Sequence, residues 1–148
     1  MYQLTYYSKA NQNISQKDIS DILNISTKSN QSQGLTGCLV FIENTFIQIL
    51  EGDKFKIETL YKTLLADKRH TDLVLISKGY SSKRFFPEWG MAYCPISDKT
   101  SEAFKHFQRN LNLLLDLSQP TTNVENQFWI IVKLKLSQNR IPSQPGTE

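Results

Sequence analysis

The stretch "LTGCLVFIENTFIQILEG", Leu35 to Gly52, constrains the fold more than any other part of this chain. Two apolar runs flank Glu43 and Asn44, and a pair of turn-forming residues between such runs specifies a tight hairpin. In the second run Phe46, Gln48 and Leu50 face one side of a strand, and Ile47 and Ile49 the other. Both faces therefore need a cover. Helices of the domain core can supply one, and the other requires something from later in the chain. Gln48 breaks the apolar pattern. Burying a primary amide without partners costs roughly 2–7 kcal/mol, so this position demands a particular hydrogen-bonding partner.

The surrounding segments extend the hairpin into a known kind of layout. Tyr2, Leu4 and Tyr6 alternate with Gln3, Thr5 and Tyr7, which predicts a first strand. Ser15 with Asp18 three positions on is a capping signal, and a helix is expected from about Gln16 to Asn30. Its inward stripe is Ile19, Ile22 and Leu23, continuing to Ser26 and Asn30, so the buried face turns polar toward its C-terminal end. After the hairpin, Asp53 is positioned to cap a second helix carrying Ile57, Leu60, Tyr61 and Leu64 at helical spacing. Lys68, Arg69 and His70 are expected at the end of that helix, where cations suit its dipole. Asp72–Tyr80 reads as a fourth strand and the segment EWGMAYC as a fifth.

The order β-α-β-β-α-β plus one strand is an α+β, ferredoxin-like arrangement, with two helices on one sheet face. Ser101–Leu117 is expected to be helical, and Thr122 with Glu125 signals a further helix start. The segment FWIIVKLKL has apolar residues at every even position from 128 to 136, which fits a strand as well; a helix is the preferred reading. These C-terminal helices are expected to cover the face bearing Ile47 and Ile49. From about Ser137 the chain is polar and contains proline, as a loose tail does.

Bulk properties narrow the class. The chain has 148 residues, 39% hydrophobic and 21% charged, enough for one packed domain. A net charge of +3 is too weak to argue for nucleic acid. Two cysteines, Cys38 and Cys94, lie in apolar runs and form neither a disulfide framework nor a zinc motif. The N-terminus has no signal-peptide pattern and no run is long enough for a membrane helix, so a cytoplasmic location is expected.

In a ferredoxin-like sheet the first and third strands are neighbours at the centre. Tyr6 and Gln48 then lie side by side beneath the helices, and Asn30 reaches the same region. A phenol and two carboxamides offer hydrogen bonds without charge, which suits a neutral, planar, heteroatom-rich ligand more than a metal or hydrolytic chemistry. Taken singly, each has an ordinary reading: Tyr6 as a strand tyrosine, Gln48 as a satisfied core amide, Asn30 as a helix C-cap, His70 as a solvated residue after a helix, Trp89 and Met91 as core filler. No catalytic triad, glycine-rich phosphate loop or carboxylate pair is present.

Five segments in register, "YYS" at Tyr6–Ser8, "SNQSQGLTG" at Ser29–Gly37, "FIQILEG" at Phe46–Gly52, "DKRH" at Asp67–His70 and "FPEWGM" at Phe86–Met91, resemble the BLUF family of blue-light sensors that use FAD. The resemblance spans about residues 1 to 94. It implies that Tyr6 is the photoactive tyrosine and that Gln48 bridges it to the flavin, both in photochemical and not enzymatic roles. It further implies that Asn30, Ser29, Ile22, Leu64, Asp67, Arg69 and His70 surround the flavin, and that Trp89 and Met91 relay the signal. FAD is the implied cofactor, with FMN as the alternative flavin. The implied event is proton-coupled electron transfer from Tyr6 followed by rearrangement of Gln48, with no substrate turned over. The implied organisation is a photosensor core at 1–94, a helical output or assembly extension at 95–137 and a flexible tail at 138–148. Such a short receptor is expected to act through a downstream signalling protein and to self-assemble, with no effector domain of its own. The rival class is an RNA-binding ferredoxin-like module. It lacks the basic glycine–aromatic signature, and its stacking surface would be hidden under the C-terminal helices.

Overall fold

Glu43 and Asn44 both adopt positive φ, 43° and 61°, the left-handed pair that lets a two-residue turn follow the twist of its flanking strands. The computed structural model that shows this describes residues 1–88, 90–93 and 119–138, with isolated positions 102, 105, 109 and 113. The turn joins β2 (Thr36–Ile42) to β3 (Thr45–Gly52). Before them come β1 (Tyr2–Ala10) and α1 (Gln16–Ser32); after them come α2 (Lys54–Ala66), β4 (His70–Tyr80), β5 (Gly90–Tyr93) and α3 (Asn123–Gln138).

The strands form one sheet in the order β4-β1-β3-β2-β5. β1, β2, β3 and β4 pair antiparallel, and β5 joins β2 in parallel. This is the expected α+β, ferredoxin-like layout with its fifth strand. Gly37 has φ of +155° where β2 meets β3, and a Cβ there would collide with the Ile49 carbonyl oxygen. Only glycine permits so close an approach.

Both helix starts on the first layer are capped as the sequence predicts. The Ser15 hydroxyl accepts from the Asp18 N–H while the Asp18 carboxylate accepts from the Ser15 N–H, each at 3.1 Å. The Asp53 carboxylate accepts from the Lys56 N–H at 3.0 Å. α1 packs Ile19 and Leu23 against Leu39, Phe41 and Phe46, and α2 packs Ile57 against Tyr2, Leu4, Tyr6, Leu35 and Leu50.

Residues 128–136 are helical, within α3, which lies on the other sheet face. Its Val124, Phe128, Trp129 and Val132 close over Cys38, Val40, Ile47 and Ile49. Burying side chains of that size contributes about 1.5–3 kcal/mol each. This is the cover that the two-faced third strand requires.

Several boundaries differ from expectation: β1 runs on to Ala10 through the polar SKA, and α1 runs to Ser32 with Gln33 and not Asn30 as its C-cap. β4 begins at His70 and not at Asp72, and α2 ends at Ala66 with no basic residue in its last turn. Lys68, Arg69 and His70 therefore do not complement a helix dipole, because the chain has already left the helix through Asp67. Trp89, Cys94, most of the helix expected at 101–117 and the tail beyond 138 lie outside the described residues.

Candidate functional site

The two layers leave a cleft over the centre of the sheet between α1 and α2. Its wall is formed by Tyr6 and Ser8 of β1, Leu39 of β2, Phe46 and Gln48 of β3, Ile22 and Ser26 of α1, Leu64 of α2, and the Asp67, Arg69 and His70 turn. Strand register explains the meeting of Tyr6 and Gln48: they are direct partners across β1 and β3, and residues paired in this way share a face. The Tyr6 hydroxyl donates to Gln48 Oε1 at 2.6 Å. Tyr6 is 3% exposed and Gln48 4%. Burial, with smaller effects of Asp67 and Tyr61, holds the phenol well above its ordinary pKa of 10.0. Tyr6 is therefore a neutral donor throughout the physiological range.

The same row crosses the whole sheet. Gln48 is paired with Leu39, Leu39 with Met91, and Tyr6 with Leu75, so Met91 stands two strands away from the central carboxamide.

At the mouth, Arg69 grips Asp67 through Nε, 3.0 Å from each carboxylate oxygen, and through Nη2. That guanidinium lowers the carboxyl's pKa. His70 is half-buried beside Phe46, at a ring separation of 6.2 Å. Burial lowers its pKa below 6.5, with Asp67 pulling the other way. Its ring nitrogens have no partner in good hydrogen-bond geometry, the Leu64 backbone being the nearest polar group that acts on the ring, and the Ser8 hydroxyl is buried without a partner.

A flavin suits this donor set. Ser8 and His70, two residues of the cleft wall, carry buried polar atoms without a partner in good geometry, and such groups are costly in a native interior unless a ligand meets them. The cavity measures about 40 Å³, room for a few waters, so a fused ring needs a wider cleft than this one. Among the described residues no cluster of His, Cys, Asp and Glu could hold a metal ion.

A family model described as "BLUF: Sensors of blue-light using FAD" matches residues 1–92. The chain belongs to the BLUF family. The photoactivated adenylate cyclase subunit beta of Euglena gracilis is 32% identical over 123 residues, covering 82% of this chain and 14% of that protein. The matched region is thus a small part of that relative. Among solved structures, a bacterial light-regulated adenylyl cyclase shares 32% identity at a TM-score of 0.61, covering 78% of this chain and 34% of the other. The Klebsiella pneumoniae BlrP1 structure shares this fold at 24% identity and a TM-score of 0.69, covering 93% of this chain and 34% of the other. BlsA in its photo-activated state does so at 24% and 0.61, covering 82% of this chain and 98% of its own.

Of the residues expected around the flavin, the structure brings Tyr6, Gln48, Ile22, Leu64, Asp67, Arg69 and His70 into one cleft. Asn30 is 3% exposed but does not line it; its backbone carbonyl accepts from Gln33 and Leu35 at the end of α1. Ser29 faces solvent, because it falls on the outer side of α1. His70 is not the solvated residue its position after a helix implied; as the first residue of β4 it is carried inward. Ser8 and Leu39 were missed as wall residues. Ser8 shares the Tyr6 face by alternation, a signal that was present in the first strand.

Proposed function

We propose that this BLUF chain is a blue-light photoreceptor that holds a flavin non-covalently between α1 and α2. The observation that carries the reading is the buried 2.6 Å contact from the Tyr6 hydroxyl to Gln48 Oε1 on the floor of the cleft. When bound, the flavin supplies blue-light absorption and an excited state that accepts an electron and a proton. Tyr6 holds a phenolic proton and has no titration that would remove it near neutral pH. Gln48 presents its oxygen to Tyr6, so turning or tautomerising its carboxamide replaces an acceptor with a donor at that point. Asp67, Arg69 and His70 would hold the polar end of the cofactor, with Asn30 joining them once the cleft widens. FAD is our assignment, in line with the family description.

The output must be larger than one hydrogen bond. Moving a two-state equilibrium from 1:99 to 99:1 takes about 5.5 kcal/mol, whereas one net hydrogen bond contributes about 0.5–1.5 kcal/mol. Repacking at β5 around Met91 and Trp89, and on the α3 face of the sheet, would make up the difference. On this reading residues 1–94 are the sensor, 95–137 present the output surface, and a separate signalling protein or a second copy receives it. The chain itself turns over no substrate. In all described residues no helix is long and apolar enough to cross a membrane.

The purified protein is expected to be yellow, and blue light to move its flavin band to longer wavelength with recovery in the dark. A protein that is colourless and cannot be reconstituted with FAD or FMN would overturn the proposal.

A further inference from the structure

On the sheet face away from the cleft lies a second buried polar cluster that the photoactive pair does not use. Gln3, Glu51 and Glu125 are 0%, 0% and 1% exposed. Gln3 Nε2 donates to Glu125 Oε2 at 2.7 Å and to Glu51 Oε2 at 3.3 Å, so both hydrogens of one amide are committed to two carboxylates. Glu51 also accepts from the Phe85 N–H at 2.8 Å, from the Phe86 N–H, and from the Thr36 hydroxyl at 3.0 Å. Glu125 accepts from the N–H of Thr121 at 3.0 Å and from its hydroxyl at 3.2 Å. Among the described residues neither carboxylate takes part in an ion pair. Their direct donors are neutral, with the Arg84 guanidinium one hydroxyl away, donating to Thr36 Oγ1 at 2.7 Å.

Thr122 closes the cluster. Its hydroxyl lies 2.8 Å from Gln3 Oε1 and 2.8 Å from Glu125 Oε2. One hydroxyl has one proton, so the site has two arrangements separated only by which acceptor receives it. Elements with two discrete arrangements are what carry coupling between sites.

The position of this cluster ties it to the cleft. Tyr6 is partnered with Gln48 across β1 and β3, and Gln3 with Glu51 across the same two strands. The pairs are three positions apart, an odd step, which puts them on opposite faces. Any tilt of β1 against β3 therefore acts on both pairs. Through Glu51 it reaches the loop that leads into β5, where Phe86 packs on Phe128 and Trp129. Through Glu125 and Thr122 it reaches the first turn of α3.

We propose that Gln3 is the positioning residue that couples the Tyr6–Gln48 pair to α3, by bridging Glu51 and Glu125 through the sheet. The inference rests on the photoreceptor reading above and adds to it the route by which the sensor reaches its output helix.

The test compares dark and illuminated full-length protein by amide hydrogen exchange across residues 119–138, with the flavin spectrum recorded on the same samples. Gln3→Met keeps the side chain's volume and removes the bridge. Because it leaves two buried carboxylates short of a donor, the double variant Gln3→Met/Glu125→Met is made alongside it; this removes one of the two carboxylates, while Glu51 keeps its donors from Thr36, Phe85 and Phe86. The wild type is expected to show a spectral shift and a light-induced change of exchange in α3. The variants are expected to keep the shift and lose the α3 change. A variant that shifts its band and still changes exchange in α3 as the wild type does overturns the coupling role. A wild type whose band shifts while α3 stays unchanged overturns it too. A wild type with no spectral shift instead overturns the photoreceptor reading on which it rests.

Discussion

Tyr6 donates its phenolic proton to the oxygen of Gln48 at 2.6 Å, and neither side chain is more than 4% exposed. Removing only the hydroxyl tests what that contact is for. Tyr6→Phe keeps the ring that packs in the α2 cluster, so the protein is expected to fold and remain yellow. Its light-induced band shift is expected to vanish, as read by absorption before and after blue illumination.

The opposite truncation has a structural cost as well. Gln48→Leu leaves the Tyr6 hydroxyl buried without its acceptor, which costs about 1–3 kcal/mol. Adding Tyr6→Phe removes the stranded group, so the double variant is expected to recover part of that loss. Denaturant midpoints of the four proteins in the cycle give the coupling, expected at about 1 kcal/mol in favour of the native pair.

Acid is expected to weaken the fold through His70. Burial holds its folded pKa below the ordinary 6.5. The unfolded chain therefore binds a proton in a pH window where the folded one does not, and stability falls as pH drops through that window. Chemical denaturation between about pH 8 and about pH 5 should show this loss. A His70→Leu variant should show less of it.

Two glycines separate strain from collision. Gly34 has φ of +71° and open space where a Cβ would go, so Gly34→Ala should cost about 1–2 kcal/mol from backbone conformation alone. At Gly37 a Cβ meets the Ile49 carbonyl oxygen, and Gly37→Ala should cost roughly 3 kcal/mol or more by forcing β2 from β3. Thermal unfolding of both variants gives the comparison.

What the sequence revealed was mostly what is local. The Glu43–Asn44 turn, the Ser15 and Asp53 caps and the strand alternation at Tyr6 and Gln48 depend on residues a few positions apart, and all appear as read. The even-spaced apolar residues of FWIIVKLKL fitted two periods; only the sheet face waiting for Phe128, Trp129 and Val132 decides for the helix. Long-range burial was least visible. Glu51 and Glu125 are charged types normally found in water, and nothing near them in sequence announces that Gln3 will lie between them. His70 was misjudged for the same reason, since its environment comes from Phe46, on a strand far back in the chain.

The outermost strand on the side opposite β5 carries two register slips against β1, between Thr5 and Tyr6 and between Tyr7 and Lys9, with Asp72 at φ of 52° beside the second. Irregularities of this kind break the even spacing of donors and acceptors along an edge that no described strand pairs. A second molecule laid along β4 would lose hydrogen bonds at both slips, so this edge is built against the ribbon-like joining of one sheet to the next.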